Sequence, residues 1–347
     1  MRSTPAWRLW LGRLGPLCGL LVVWSVFAVV IGDRFWGWEN GRLMLLQTSI
    51  VATAAVGATL VIVAGAIDLS VGSAIALGTV VIALGLRNGI GPLPSALLGI
   101  TALAVVGACI GLLVTGGLLS PIARLTGKGR VLALSPFIVT LAMWGALRGL
   151  AKGLGDNSPV YIDGHPWLLD LVGTRPSHGG LLADLLALDP LAIAAPSVWC
   201  MLALAAVVAF VMRATRFGRH VFAVGSNEET ARLCGVPVAR VKVLVFVVAG
   251  ACAGIASVMQ LAYLGMGDPT TAEGHELRVI AAVVIGGASL TGGEGSILGT
   301  LVGALLMTVV DSGCTKLGLA NWVQEIVTGG IILLAVIVDR LRQRTDG

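Results

Sequence analysis

Apolar residues run along this chain in long unbroken blocks separated by short polar stretches, with almost no strand-like alternation. The blocks lie near 16–32, 43–64, 74–86, 93–118, 134–151, 191–212, 241–264, 277–287, 297–310 and 322–338. An α-helix needs roughly 20 residues to cross a bilayer, and only helices and closed barrels satisfy their backbone there. The pattern predicts an all-α, polytopic membrane protein of about ten transmembrane helices, built as a single membrane domain over 1–347. Three of the blocks, 74–86, 277–287 and 297–310, are short for a span.

Composition narrows the class. At 56% hydrophobic and 12% charged, with a mean hydropathy of +0.95, the chain cannot dress a soluble fold in a polar shell. Its basic residues sit in short loops rather than on one soluble face, which excludes nucleic acid as a partner and leaves membrane lipid. The six cysteines and four histidines show neither pairing nor ligand spacing, so no metal site is expected.

Arg2, Arg8 and Arg13 precede the first block, which reads as an uncleaved first helix rather than a signal peptide. With ten spans and both termini cytoplasmic, the inner segments hold most of the Lys and Arg, including Arg124, Lys128, Arg130, the cluster from Arg213 to Lys242, and Arg340, Arg342 and Arg344. That is the positive-inside distribution of a bacterial inner membrane protein. The long outer connection, 153–190, carries either a short interfacial helix at 181–188 or an irregular insertion.

Two breaks in the apolar pattern stand out. GAIDLSVGS at 65–73 places an acid between two apolar runs, and ELRVIAAVVIGGASLTGGEGS at 276–296 passes from a short apolar run into a glycine cluster. A buried ionisable group and a run too short to span both point to broken or re-entrant helices lining a cavity. The two stretches echo each other in a glycine start, a Leu followed by Ser or Thr, and a Gly-Ser exit. Paired interruptions of this kind suggest two weakly related halves and a transport pathway.

The cytoplasmic loop 213–242 contains GSNEETARLCGVPVARVK. Ser226 with Glu229 three residues on forms a capping box, Glu228 and Glu229 suit a helix N-terminus, and Gly235 with Pro237 ends the helix. A two-turn helix with Ala231 and Leu233 among charges can dock into a groove on a soluble partner, or serve as a connector packed on its own chain. No Walker or dinucleotide motif is present, so the chain does not bind ATP itself, and uphill transport draws on an ion gradient or a partner.

Taken together, GAIDLSVGS, SPFIVTLAMWGALRGLAKGL at 135–154, GSNEETARLCGV and the 276–296 segment resemble the membrane permease of bacterial ATP-binding-cassette sugar importers. The class is the ribose, xylose and galactose permeases, within the branched-chain amino acid and sugar permease superfamily, and the resemblance runs from about Gly57 to Val338. It implies a homodimer or a paired paralogue, a monosaccharide delivered by a periplasmic binding protein, and separate cytoplasmic ATPase subunits that bind the ATP. It further implies that Asn227, Glu228, Glu229, Ala231, Arg232, Leu233 and Gly235 form the ATPase-coupling segment. Gly287, Ser289, Gly292 and Gly293, with Asp68, Ser70 and Gly72, would then lie around the translocation path or its gate. Ala66 departs from a commoner glycine, and 156–190 matches poorly.

Individual polar residues keep more than one reading. Asp68 can be a proton or cation site, a sugar partner, or a structural acceptor for backbone N–H groups ahead of the next helix; the last fits its position best. Phe137, Thr140, Trp144 and Arg148 share one helical face and suit a sugar's apolar faces and hydroxyls, or form an ordinary packed face. Gln260, Asp311, Gln324 and Glu325 are further polar residues in or near spans. The competing functions are an ATP-driven permease for another small polar solute, such as an amino acid or nucleoside, and an ion-coupled transporter using Asp68 or Glu325. No catalytic constellation supports a membrane enzyme.

Overall fold

The computed structural model describes residues 6–117, 133–164, 166–173 and 195–346, with side chains described from 15 to 337 of that range. Its helices are α1 (Ala6–Ile31), α2 (Asp33–Trp36), α3 (Trp38–Val63), α4 (Val71–Arg87), α5 (Pro92–Val114), α6 (Pro136–Leu154) and α7 (Pro196–Ala214). They continue as α8 (Arg216–Ser226), α9 (Glu228–Leu233), α10 (Val238–Leu264), α11 (His275–Ile285), α12 (Ile297–Lys316) and α13 (Asn321–Asp346). Among the described residues the only sheet is a two-residue antiparallel ladder, Val160–Tyr161 on Met266–Gly267. The all-α reading stands.

The described part of each of the ten apolar blocks falls on a helix. Six of these helices, α3, α5, α6, α7, α10 and α12, are long and apolar enough to cross a membrane. The apolar stretches on α1, α4 and α13 are shorter, and α11 has 11 residues. The candidate interfacial piece at 181–188 and the basic loop at 118–132 lie outside the described residues. The described part of the outer connection instead carries a 3-10 turn, Trp167–Leu171, whose Leu168 is buried in the core and which packs on α10.

α3 is the axis of the molecule. Every residue from Thr48 to Val63 is buried, because α7, α10, α11 and α12 surround it on all sides. A helix enclosed in this way can carry hydroxyls only if they are satisfied internally. Thr48 and Thr59 donate back to the carbonyls of Met44 and Ala55, and Thr59 meets Thr300 of α12 at 2.8 Å. Around this axis α5 and α10 run antiparallel at close range: Gly107 lies against the Phe246 carbonyl and Gly250 against that of Leu103, where any Cβ would overlap. Inside a bilayer lipid chains are as apolar as Leu, so contact of this sort, rather than burial from water, holds neighbouring helices together.

The loop at 213–242 holds two helices rather than one. α8 begins at Thr215, whose hydroxyl accepts from the Gly218 N–H at 3.3 Å, and it buries Val221 and Val224 on one face. Its apolar positions recur at helical spacing among Arg216, Arg219 and His220, a local signal that the sequence reading passed over.

Candidate functional site: a seam of two breaks and a helix end

The two breaks singled out in the sequence end their helices in the same way. At the end of α3 the Gly65 N–H bonds to Ile62 and the Ala66 N–H to Val61. At the end of α11 the Gly287 N–H bonds to Val284 and the Ala288 N–H to Val283. Both are Schellman closures, with the glycine in the left-handed region at φ 77° for Gly65 and 90° for Gly287. The shared glycine start therefore corresponds to one backbone device, which the chain also uses at Gly89, Gly235 and Gly318.

Each break then makes a side-chain-to-backbone turn. In the first, one oxygen of the Asp68 carboxylate accepts from the Ser70 N–H at 2.8 Å and from the Ser70 hydroxyl at 2.6 Å. Asp68 thus orders the two residues before α4, as the structural reading of that acid expects. In the second, the Ser289 and Thr291 hydroxyls meet at 2.7 Å and the Thr291 N–H reaches Ser289 Oγ at 3.3 Å.

The breaks also touch. The Gly293 N–H donates to the Val63 carbonyl at 2.9 Å, a backbone bond from the second break to the last residue of α3. The end of α8 is inserted at the same point: Gly225 packs against the Val63 carbonyl and Gly293, and Gly292 has Gly65 and the Gly225 carbonyl as neighbours. A Cβ on Gly225 would overlap the Val63 carbonyl, so only glycine admits this approach. Val63, Gly225 and Gly293 were not singled out in the sequence as a set, since nothing local tells three distant segments that they meet.

α9 follows directly from α8. Its N-cap is Asn227, whose side chain accepts from the Thr230 N–H at 2.8 Å. This corrects the capping box centred on Ser226: Ser226 is the last residue of α8, so the helix phase moves the cap one residue on. Glu228 pairs with Arg232 at 3.0 Å and with Lys242 of α10 at 2.6 Å. The stop is as expected, a Schellman closure at Gly235 with φ 80°. Ala231 is buried in the chain's own core, while Leu233 is 89% exposed. Glu229 and Arg232 lie on the exposed side.

On α6 the predicted face is partly used. Thr140 is fully buried and donates to the Ile67 carbonyl at 3.1 Å. One turn on, Trp144 Nε1 donates to Glu276 at 3.1 Å, and Arg148 donates to the carbonyls of Pro269 at 2.9 Å and Thr271 at 2.6 Å. Phe137 is half exposed. Glu276, the first residue of the 276–296 stretch, was not among the expected site residues. It sits in the first turn of α11 beside Gly72 in the first turn of α4, where two helix N-termini favour a carboxylate. Its second oxygen is buried without a hydrogen-bond partner among the described residues, as is Nη2 of Arg148.

The comparisons with known proteins agree with this architecture. The family described as branched-chain amino acid transport system / permease component matches residues 42–336. The ribose import permease protein of Escherichia coli (strain K12) is 37% identical over 96% of this chain and 95% of its own length. That of Bacillus subtilis (strain 168) is 34% identical over 94% and 92%. The L-arabinose ABC transporter permease protein of Azospirillum brasilense is 36% identical over 97% and 90%. No solved structure matches the chain. With a family match over most of its length and relatives named as permeases, this chain belongs to the branched-chain amino acid transport system / permease component family and is a multi-pass transport subunit rather than an enzyme.

Proposed function

We propose that the chain is the permease of an ATP-binding-cassette importer that passes a monosaccharide from a periplasmic binding protein across the inner membrane. It works with a second permease subunit, identical or paralogous, and with cytoplasmic ATPases, and both of its termini are cytoplasmic. The ribose and arabinose named for its relatives supply the solute class. The single observation that carries the mechanism is the seam, where α8 is wedged between the two breaks and continues into α9 through Asn227 alone.

In this reading an ATPase grips α9 and moves α8. Asn227, Glu228 and Gly235 fix the helix at its ends, Ala231 anchors it to the core, and Leu233, with Glu229 and Arg232, meets the ATPase. Because Gly225 leaves no slack against Val63 and Gly293, displacement of α8 shifts both breaks together. Gly65, Asp68, Ser70, Gly72, Gly287, Ser289, Gly292 and Gly293 then form the gate. Thr140 and Trp144, tied to Ile67 and Glu276, carry the movement to the path, and Phe137 lies at its edge. The broken helices and the two related halves belong to this proposal.

The test is Leu233→Glu. Its side chain is almost fully exposed, so the variant should insert and melt like the parent while sugar uptake falls at least tenfold and the ATPase no longer co-purifies. Normal co-purification and uptake in that variant would remove α9 from the coupling role. Uptake that survives loss of the ATPase but collapses with the ion gradient would replace the importer with an ion-coupled carrier.

A further inference from the structure

At the other end of α3 from the seam, α3, α10, α11, α12 and α13 enclose a cavity of about 340 Å³. That is near the lower end of the roughly 300–1,000 Å³ typical of small-molecule sites. Its walls are unusually polar for a helix bundle: Gln47 comes from α3, Gln260 from α10, His275 and Arg278 from α11, and Asp311 from α12. Cavities between membrane helices that serve only packing are apolar, because each polar group without a partner costs free energy there.

The charges inside cancel locally, since Arg278 and Asp311 form an ion pair at 2.9 Å. Lys316 stands exposed at the rim. What remains inside is neutral hydrogen-bonding capacity, of which Gln260 already commits an Nε2 donor to the Thr271 hydroxyl at 2.8 Å. Gln47 makes only a long contact, 3.4 Å, to the Tyr263 hydroxyl, and Nδ1 of His275 is buried with no hydrogen-bond partner among the described residues. Amides offer donor and acceptor together, which is what a hydroxyl needs. A buried nitrogen without a partner among the described residues is a group that a ligand can complete once the imidazole turns toward the cavity.

We propose that this cavity is a binding site for a single monosaccharide, held through its hydroxyls by Gln47, Gln260 and His275. The identity of the ligand rests on the sugar-permease reading above; the existence of a site for a neutral polyhydroxyl ligand rests on the cavity. Its nearest wall on α3, Val51, stands 12 residues before Val63 of the seam, about 18 Å along the helix at about 1.5 Å per residue. A sugar can therefore be held while the seam is shut, which gives transit a waiting position within one protomer.

The experiment uses the full chain in lipid nanodiscs, without binding protein or ATPase, titrated with D-ribose, L-arabinose and D-xylose by isothermal calorimetry. Saturable binding of at least one pentose in the millimolar range is expected. Gln47→Leu, which keeps volume and removes the amide, should weaken it at least tenfold. Gln47→Trp, which fills the space, should abolish it, with both variants melting within a few degrees of the parent. Absence of saturable binding by the well-folded parent overturns the site, as does binding that both variants leave unchanged. Pentose uptake by the intact system that is normal in both variants also overturns it, and leaves the permease reading standing. Failure of the intact system to take up any sugar overturns both.

Discussion

The two breaks, 64–70 after α3 and 286–296 after α11, open with the same closure and the same kind of two-residue turn, yet they are embedded differently. In the first, Ala66, Asp68 and Ser70 are buried and the chain goes directly into α4. In the second, Gly287 is exposed as Gly65 is, and Ala288 and Ser289 are buried, but Thr291, at the place of Ser70, and Glu294 are exposed, and the loop folds back on itself through the Ser289 N–H to the Glu294 carbonyl. A carboxylate accepts from the buried Ser70 N–H, and the Ser289 hydroxyl from the N–H of exposed Thr291. The reason is energetic: a buried N–H left without an acceptor costs more than an exposed one, so the stronger, charge-assisted acceptor stands where water is absent. The first break is therefore the fixed side of the seam and the second the more yielding side.

The most damaging way to test that asymmetry is to force the seam open. Gly225→Val places two methyl groups and a Cβ against the Val63 carbonyl and Gly293, which are backbone atoms that cannot rotate away. Overpacking typically costs about 1–3 kcal/mol, and more where the opposing atoms are backbone and cannot move aside. Folded yield should collapse, or the melting temperature should fall by more than for any other variant here. A Gly225→Val protein with parental melting and uptake would show that α8 is not wedged between the breaks.

Next in size is the acid. Asp68→Ala leaves the buried Ser70 N–H and hydroxyl without their acceptor, a loss of about 1–3 kcal/mol. Asp68→Asn keeps an oxygen in place and should recover most of that stability, with uptake falling only in proportion to folded protein. A well-folded Asn variant with no uptake at all would transfer Asp68 from architecture to solute or proton handling, and would revive the ion-coupled reading.

Much of this was legible in the sequence because it is local. The described parts of all ten apolar blocks lie on helices. Gly235 stops α9 through the left-handed conformation that glycine adopts at least cost. What stayed hidden is tertiary. Glu276 reads as a polar flank of a short run until Gly72 is seen opposite it, and Ala231 reads as part of a docking face until α9 is seen resting on the core. The Ser226 cap failed for a subtler reason: Ser226 and Asn227 are both competent N-caps, and the choice was made by α8 extending through Ser226, a helix the reading had not drawn.

The shared closure allows a matched pair of substitutions. Gly65→Ala and Gly287→Ala each put a side chain into the left-handed region, at about 1–2 kcal/mol, and neither meets a close neighbour, since the nearest atom to a Cβ at Gly65 is 3.8 Å away and none lies within 4 Å at Gly287. The two losses of stability should agree within about 0.5 kcal/mol, the additivity error of independent sites. Unequal losses beyond that would show that the closures only look alike.

The smallest effect is expected at Thr291, the counterpart of Ser70 in the second turn. Its hydroxyl meets that of buried Ser289 at 2.7 Å, but Ser289 has a further partner and Thr291 is exposed, so water reaches the site when the hydroxyl is removed. Thr291→Ala should change stability by no more than about 0.5 kcal/mol, the usual range for a surface position. Hydrogen exchange at the Thr291 and Gly292 amides should quicken, because the turn that orders them is weakened while the Schellman closure behind it is intact. A loss comparable with that of Asp68→Ala would mean that the exposed break is held as firmly as the buried one. The seam would then have no yielding side, and movement of α8 would have to be absorbed by α3 itself.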